Sequence, residues 1–442
     1  MPVGLGGFET GAHVQRQGGW RHPADERLAR RPRRPDEVMA DVHLHVGLPK
    51  TGTSSIQAAL DARNASLADA GVLYPGGRHR AHRLAAYDLL GQRVRGDDAD
   101  LVAGAFSRMV EEMAGYSGPS VVVSEEELGL ARPRHVRKLV RDLAPHRVHV
   151  VFGVRDMART VVSAWQQDVV TGGTTTWQDF IGSVREPRQR VVPAATAFWI
   201  RHDPLRVIDA WSSAVPIERI SVITVPPAGA SSRTLLERFA AATGLPVELW
   251  DVGEPKPRNV SFGAAELEVV RRLNPPVLAR LNQEQYRFVI EHGIRSQLAV
   301  QRPRSLRLPP EHVPWACEYG EGLVAELQRR GVRVVGDLAD LIPENRPPSG
   351  PPLDVVCEAE LLEAAEAALA SLALAHGQLF RRYRRAFAER DSRLPTPQEV
   401  LGSGIRAAGF HLQKAALRRT SDHRLLAWAA RTYVERTSGR RT

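Results

Sequence analysis

From Val42 onward, short apolar runs alternate with segments whose apolar residues recur every three or four positions. Val42–Val46 predicts a strand, Ser54–Ala70 a helix burying Ile56, Ala59, Leu60 and Leu67, and Gly71–Tyr74 a short strand. Leu101–Ala114 predicts a helix, Ser120–Val123 a buried strand, Val136–Leu143 a helix and Val148–Val154 a strand. Thr160–Val170 then reads as a helix, Ile217–Val225 as a strand, and Ser232–Thr243 as a helix ending at Gly244. Strands alternating with helices predict an α/β fold of three α/β/α layers, a central parallel sheet covered on both faces. Gly331–Leu338 reads as a last short strand or loop, and no internal repeat occurs.

Outside this pattern the chain changes character. Residues 1–38 hold scattered glycines and the run Arg30–Pro35 without apolar periodicity, so they read as a disordered leader, with Met39 a candidate natural start. Residues 39–345 form the predicted core, and 346–352, rich in proline, a linker. Residues 353–442 read as a helical, basic C-terminal extension, with helical pattern over Leu353–Tyr383 and a basic amphipathic stretch over Gly404–Arg436.

The 442 residues are 43% apolar and 25% charged, enough to build a core without metal or disulfide staples. Two cysteines, Cys317 and Cys357, exclude a disulfide framework and a cysteine-rich zinc module. No apolar run reaches membrane-spanning length and the N-terminus lacks a signal-like apolar core, so the expected location is cytoplasmic. The net charge of +10 is concentrated in residues 376–442, which carry 15 basic and 5 acidic side chains. The rest is balanced, so the basic pI is no argument for nucleic-acid binding. The tail suits peripheral contact with an anionic membrane, at its inner face, or with an acidic partner, and equally a helix packed on the core. Only four of the 60 basic residues are lysines, a bias that points to a GC-rich bacterial genome and draws attention to Lys50.

Lys50 stands in His45-Val-Gly-Leu-Pro-Lys-Thr-Gly-Thr-Ser-Ser-Ile-Gln57, a strand-to-helix junction that aims backbone amides and a helix dipole at an anion. Gly47 and Gly52 have the spacing of a nucleotide-triphosphatase loop, but Thr53 occupies the lysine slot and the lysine comes three residues earlier. The third strand ends in Ser124 rather than in a magnesium-binding aspartate. ATP hydrolysis is disfavoured.

The loop resembles the 5′-phosphosulfate loop of bacterial sulfotransferases that use 3′-phosphoadenosine 5′-phosphosulfate (PAPS), which have a P-loop-like α/β/α core. The resemblance implies that Lys50 contacts the transferring group, while Pro49, Thr51, Gly52, Thr53 and Ser54 hold the 5′-phosphate. It further implies that Arg155, at a strand end, and Ser163, eight residues on, clamp the 3′-phosphate, a pairing suited to a dianion. Met157 stands where the family often has proline. Arg258 and Ser261 resemble the late loop that closes over the nucleotide. The resemblance spans roughly residues 41 to 343, with specific motifs only at the first two sites. Such transfer ends in adenosine 3′,5′-bisphosphate and requires no metal.

The acceptor's hydroxyl needs a base. Glu126 is the first candidate, by resemblance to the family's Ser-x-Glu at this strand end, and Glu125 the second. Glu127 completes a Ser124-x-x-Glu127 capping box. His82, and less so His79, in the glycine-rich stretch after the second strand, are the rivals. His43 and His45 share one side of the first strand, where two ligands alone make a weak metal site. Trp165, Trp177, Phe198, Trp199 and Trp211 read as core. The expected function is sulfuryl transfer to a hydroxyl of a glycan, lipid or secondary metabolite. The alternatives are a non-catalytic nucleotide- or partner-binding module, or a small-molecule kinase.

Overall fold

The computed structural model describes residues 39–94, 99–186, 192–250, 262–294, 306–343 and 356–392. The predicted leader (1–38), the linker (346–352), Arg258, Ser261 and the basic stretch Gly404–Arg436 lie outside the described residues. Contacts divide the chain into two compact units, the first formed by Met1–Gln167, Thr175–Arg258 and Arg307–Leu353, the second by Asp168–Thr174, Asn259–Leu306 and Asp354–Thr442.

The first unit holds a six-stranded sheet: β1 (Asp41–His45), β2 (Val72–Leu73), β3 (Ser120–Ser124), β4 (Arg147–Val154), β5 (Ile220–Thr224) and β6 (Arg333–Val335). The order is β2-β3-β1-β4-β5-β6 with every neighbouring pair parallel. The longer helices in chain order are α1 (Thr53–Ala62), α2 (His79–Leu90), α3 (Ala105–Ala114), α4 (Pro133–Asp142), α5 (Met157–Val170), α6 (Trp177–Arg185), α7 (Pro193–His202), α8 (Pro204–Trp211), α9 (Ser232–Thr243), α10 (Ala264–Leu278), α11 (Gln283–Phe288), α12 (Val313–Arg329) and α13 (Glu358–Ser392).

Strand alternation builds the layers. Val121, Val123, Val150, Phe152 and Val222 point to one face, into a cluster with Met109 of α3, Leu139 of α4, Trp211 of α8 and Leu327 of α12. Their neighbours Val122, Val151 and Ile223 point to the other, against Ile56 and Leu60 of α1 and Leu235 and Phe239 of α9. Strands buried on both faces explain the near-continuous valine runs. The three-layer α/β/α class predicted from the pattern is the one observed.

Local differences have local causes. The helix predicted over Ser54–Ala70 is two, Thr53–Ala62 and Asn64–Asp69, broken where Arg63 adopts φ −112°, ψ 14°. The stretch after β2 is not a glycine-rich loop: Gly76 and Gly77 make a tight turn and α2 begins at His79. Its buried residues, His82, Ala85, Ala86 and Leu89, do have helical spacing, masked by arginines and by a histidine counted as polar. In the second unit Asn274 of α10 donates to the Val169 and Gly173 carbonyls at 2.8 and 2.6 Å and accepts from the Tyr286 hydroxyl of α11 at 2.7 Å.

Strand order turns about β1, which has β3 on one side and β4 on the other. In open α/β sheets this places a ligand crevice at the carboxyl ends of those strands. There the turn after β1 meets the turn after β3 backbone to backbone. Gly47 has φ +35°, and a Cβ on it would lie 2.9 Å from the Glu126 carbonyl oxygen. Gly47→Ala is expected to destabilise the fold by about 1–3 kcal/mol through combined strain and crowding. Gly91→Ala, also at positive φ but with nothing within 4 Å, is expected to cost only about 1 kcal/mol. Urea-unfolding midpoints of the two variants check the difference.

Candidate functional site

Three strand ends supply the candidate site. β1 runs on through Val46, whose amide donates to the Val151 carbonyl at 2.9 Å, and then turns into the loop leading to α1. The Thr51 hydroxyl donates to the Leu48 carbonyl at 2.6 Å and closes that loop on itself. β4 comes close enough that a Cβ on Gly153 would lie 2.8 Å from Thr51 Oγ1. Lys50 adopts φ 65° and Gly52 φ 88°, left-handed conformations that bend successive amides inward. α1 then starts with neither a side-chain cap nor an acidic residue in its first turn. Its N-terminal amides and positive dipole end are therefore available to an anion.

Two cations border this helix start. Lys50 Nζ donates to Gln167 Oε1 on α5 at 2.6 Å. Arg155, at the end of β4, donates from Nη1 to the Lys50 carbonyl at 3.3 Å, while its buried Nε has no partner among the described residues. Burial, with repulsion from Arg159, lowers the Arg155 pKa to about 10, so it stays charged at neutral pH. Asp156 caps α5, accepting from the Arg159 amide at 2.8 Å and pairing with its guanidinium. Two turns into α5, the Ser163 hydroxyl donates to the Thr160 carbonyl at 3.1 Å, leaving its oxygen lone pairs as acceptors. Gln167 escaped the sequence reading, although its i+4 spacing from Ser163 puts both on one helix face.

The turn after β3 brings the carboxylates. Thr53 Oγ1 donates to Glu126 Oε2 at 3.0 Å, joining the loop to the first base candidate across 73 residues of chain. Burial pushes the Glu126 pKa up, helped by the charges of Glu125 and Glu127 and opposed by the Thr53 hydrogen bond and the Lys50 charge. Glu125, not Ser124, caps this turn, accepting from the Glu127 amide at 3.1 Å, and its other oxygen lies 2.8 Å from His79 Nε2. Ser124 instead hydrogen-bonds His45 Nδ1 at 2.7 Å. Glu127 is engaged by Gln92 at 3.3 Å and by Arg201 at 3.2 Å.

His82 is 1% exposed; its Nε2–H donates to the Pro75 carbonyl at 2.9 Å and its Nδ1 accepts from the Ser124 amide at 3.0 Å. That arrangement leaves no lone pair for an acceptor's proton, which corrects its place among the base candidates. His43 stacks on His149 and His45 meets the edge of the Phe239 ring, both within the packed sheet faces. Among the described residues no group of three His, Cys, Asp or Glu gathers to hold a metal, and no helix is long and apolar enough to cross a membrane.

No family model matches the chain, and no curated protein does. Among solved structures, a sulfotransferase from Alicyclobacillus acidocaldarius is similar over 58% of this chain and 100% of that one, at 15% identity and a TM-score of 0.33. So slight a likeness carries no argument about activity, which rests on the site itself.

Burial lowers the pKa of both His45 and His82 to about 4, with the His79 charge adding to each. Between pH ~6.5 and ~4 the unfolded chain binds protons that the folded chain refuses. Their contribution to stability is complete above pH ~6.5 and declines as the pH falls through that window, by about 1.4 kcal/mol per pH unit for each histidine. His82→Asn keeps an acceptor for the Ser124 amide and removes one titration, so the slope of unfolding free energy against pH is expected to flatten. Denaturant titrations from pH 7 to 4.5 measure it.

Proposed function

We propose that the chain is a sulfotransferase, moving a sulfuryl group from PAPS to a hydroxyl of an acceptor. The observation that carries this reading is Lys50: a lysine inside the loop, in left-handed backbone, its carbonyl bound by Arg155 at the open start of α1. A kinase reading needs the lysine after Gly52, where Thr53 instead turns its hydroxyl to Glu126.

The chain's residues suit a nucleotide with phosphates at both ends of its ribose. The loop Pro49 to Ser54 offers the backbone amides of Lys50, Thr51, Gly52, Thr53 and Ser54 to the 5′-phosphate, with Pro49, which has no N–H, shaping the turn. Arg155, whose buried Nε has no partner among the described residues, and Ser163, whose hydroxyl can turn from the Thr160 carbonyl to donate, are the residues to hold the 3′-phosphate. Arg258 and Ser261 belong to the same proposal as the closing loop. When bound, PAPS supplies the activated sulfuryl group and leaves as adenosine 3′,5′-bisphosphate.

Lys50 places a positive charge where negative charge develops on the leaving phosphate, and Gln167 orients its ammonium. Glu126 accepts the acceptor's hydroxyl proton. Its raised pKa makes it the stronger base, and the Thr53 hydrogen bond fixes its orientation. Glu125 is second: its carboxylate is already taken up by the Glu127 amide and His79.

Radiolabelled sulfuryl transfer tests the reading. Lys50→Ala is expected to lower kcat by about 10²–10³ with the fold intact; near-normal turnover would contradict the assignment. Glu126→Gln is expected to lower transfer by about 10²–10⁴ while nucleotide binding holds. For the 3′-phosphate, Arg155→Ala is expected to weaken adenosine 3′,5′-bisphosphate by about 1.5–3 kcal/mol and leave adenosine 5′-phosphate nearly unchanged. Equal weakening of both nucleotides places the clamp elsewhere.

A further inference from the structure

A cavity of about 600 Å³ opens beside the Glu126 turn, within the first unit. Its wall combines apolar side chains, among them Leu90 of α2, Leu130 and Ile200 of α7, with three arginines, Arg132, Arg134 and Arg206. The volume is that of a small-molecule site. Leu130 is the last residue of the turn that Glu126 begins, so the wall starts where the base candidate's turn ends. Two further contacts fasten the wall to that turn: Gln92, also at the cavity, donates to Glu127 Oε2 at 3.3 Å, and Arg206 Nη2 donates to the Gly129 carbonyl.

The charge at this cavity is one-sided. Its one carboxylate, Asp209, is paired with Arg330. Arg206 is half-buried, and its Nε, shielded from solvent, has no partner among the described residues. Arg206 also lines the cavity, and an anion held against its guanidinium there gains a charge-assisted hydrogen bond. Arg132 and Arg134 are exposed at the rim, where they add positive potential without their own carboxylate partners in the cavity wall. Ile200 leaves 48% of its surface exposed, so the same cavity offers apolar area to cover.

We propose that this cavity seats the acceptor, and that the acceptor joins an apolar body to an acidic group, a carboxylate, phosphate or sulfate, held by Arg206 and the rim arginines. The identification of the occupant as the acceptor rests on the sulfotransferase reading. The preference of the cavity for an amphipathic anion does not.

The probes are 6-hydroxy-2-naphthoate and 2-naphthol, which share the aromatic body and the hydroxyl and differ in the carboxylate. Calorimetry on the full chain is expected to show the naphthoate binding at least about ten-fold tighter, with the advantage shrinking as salt rises. Arg206→Met, which keeps the apolar stem, and Arg134→Gln, at an exposed position, are each expected to narrow the gap. Ile200→Trp, which fills the cavity, is expected to weaken both probes. Adenosine 3′,5′-bisphosphate binding, measured on the same samples, is expected to be unchanged in all three variants. With that nucleotide binding normally, equal affinity for the two probes, or a naphthoate advantage that survives both arginine substitutions, overturns the cavity proposal alone. A naphthoate preference that depends on the arginines, in a chain that does not bind the bisphosphate, overturns the sulfotransferase reading and the acceptor's role, and leaves an anion-selective site. In the transfer assay, a lower KM for 6-hydroxy-2-naphthoate than for 2-naphthol supports the acceptor assignment, and the reverse order removes it.

Discussion

The backbone contact between Gly47 and the Glu126 carbonyl is the constraint on which the site depends. A Cβ at Gly47 would lie 2.9 Å from that oxygen, so only glycine lets the loop after β1 lie against the turn after β3. Everything chemical follows from that approach. The Thr53 hydroxyl reaches Glu126 because the loop is held there, and Lys50 comes within electrostatic reach of the same carboxylate. On the other flank Gly153 has the same role for β4, letting Thr51 close its own turn and Arg155 reach the Lys50 carbonyl. Two glycines, Gly47 in the loop after β1 and Gly153 on the neighbouring β4, thus bring the start of α1, two cations and a carboxylate to one sheet edge.

Burial then divides these groups by role. His45 and His82 are held neutral inside the sheet and its covering helix, where their ring nitrogens fix the Ser124 strand end and the Pro75 turn. Glu126 is only partly covered, which raises its pKa without removing it from reach. Arg155 keeps its charge despite burial, and with one N–H unpartnered among the described residues it is poised for an anionic ligand. A histidine and a glutamate, both plausible bases on chemistry alone, are separated by what their lone pairs already hold.

Much of this was legible in the sequence, and for physical reasons. The valine runs of β3 and β4 declare strands buried on both faces, and the Gly47-to-Gly52 segment declares the strand-to-helix turn that the structure shows. Arg155 and Ser163 entered only through the family resemblance, and the structure places the Arg155 guanidinium against the Lys50 carbonyl. The role of His82 was not, because a histidine beside arginines reads as solvated and only the fold shows α2 turning it inward. Nor was the Thr53–Glu126 bond, which joins residues 73 apart, or the cavity walled by α2, α4, α7 and α8, whose lining residues run from Leu90 to Ala210 along the chain. Long-range convergence carries the specificity here, and single-sequence periodicity does not report it.

We propose the β1–α1 loop and Arg155 together as a seat for a ribose bearing phosphates at both ends. Calorimetric titration of the unmodified full chain with adenosine 3′,5′-bisphosphate, alongside ATP with magnesium, tests it most directly. Saturable binding of the bisphosphate is expected, at least about ten-fold tighter than ATP, since a second charge-assisted phosphate contact is worth more than about 1.4 kcal/mol. Tighter binding of magnesium-ATP, or no binding of the bisphosphate, would contradict it.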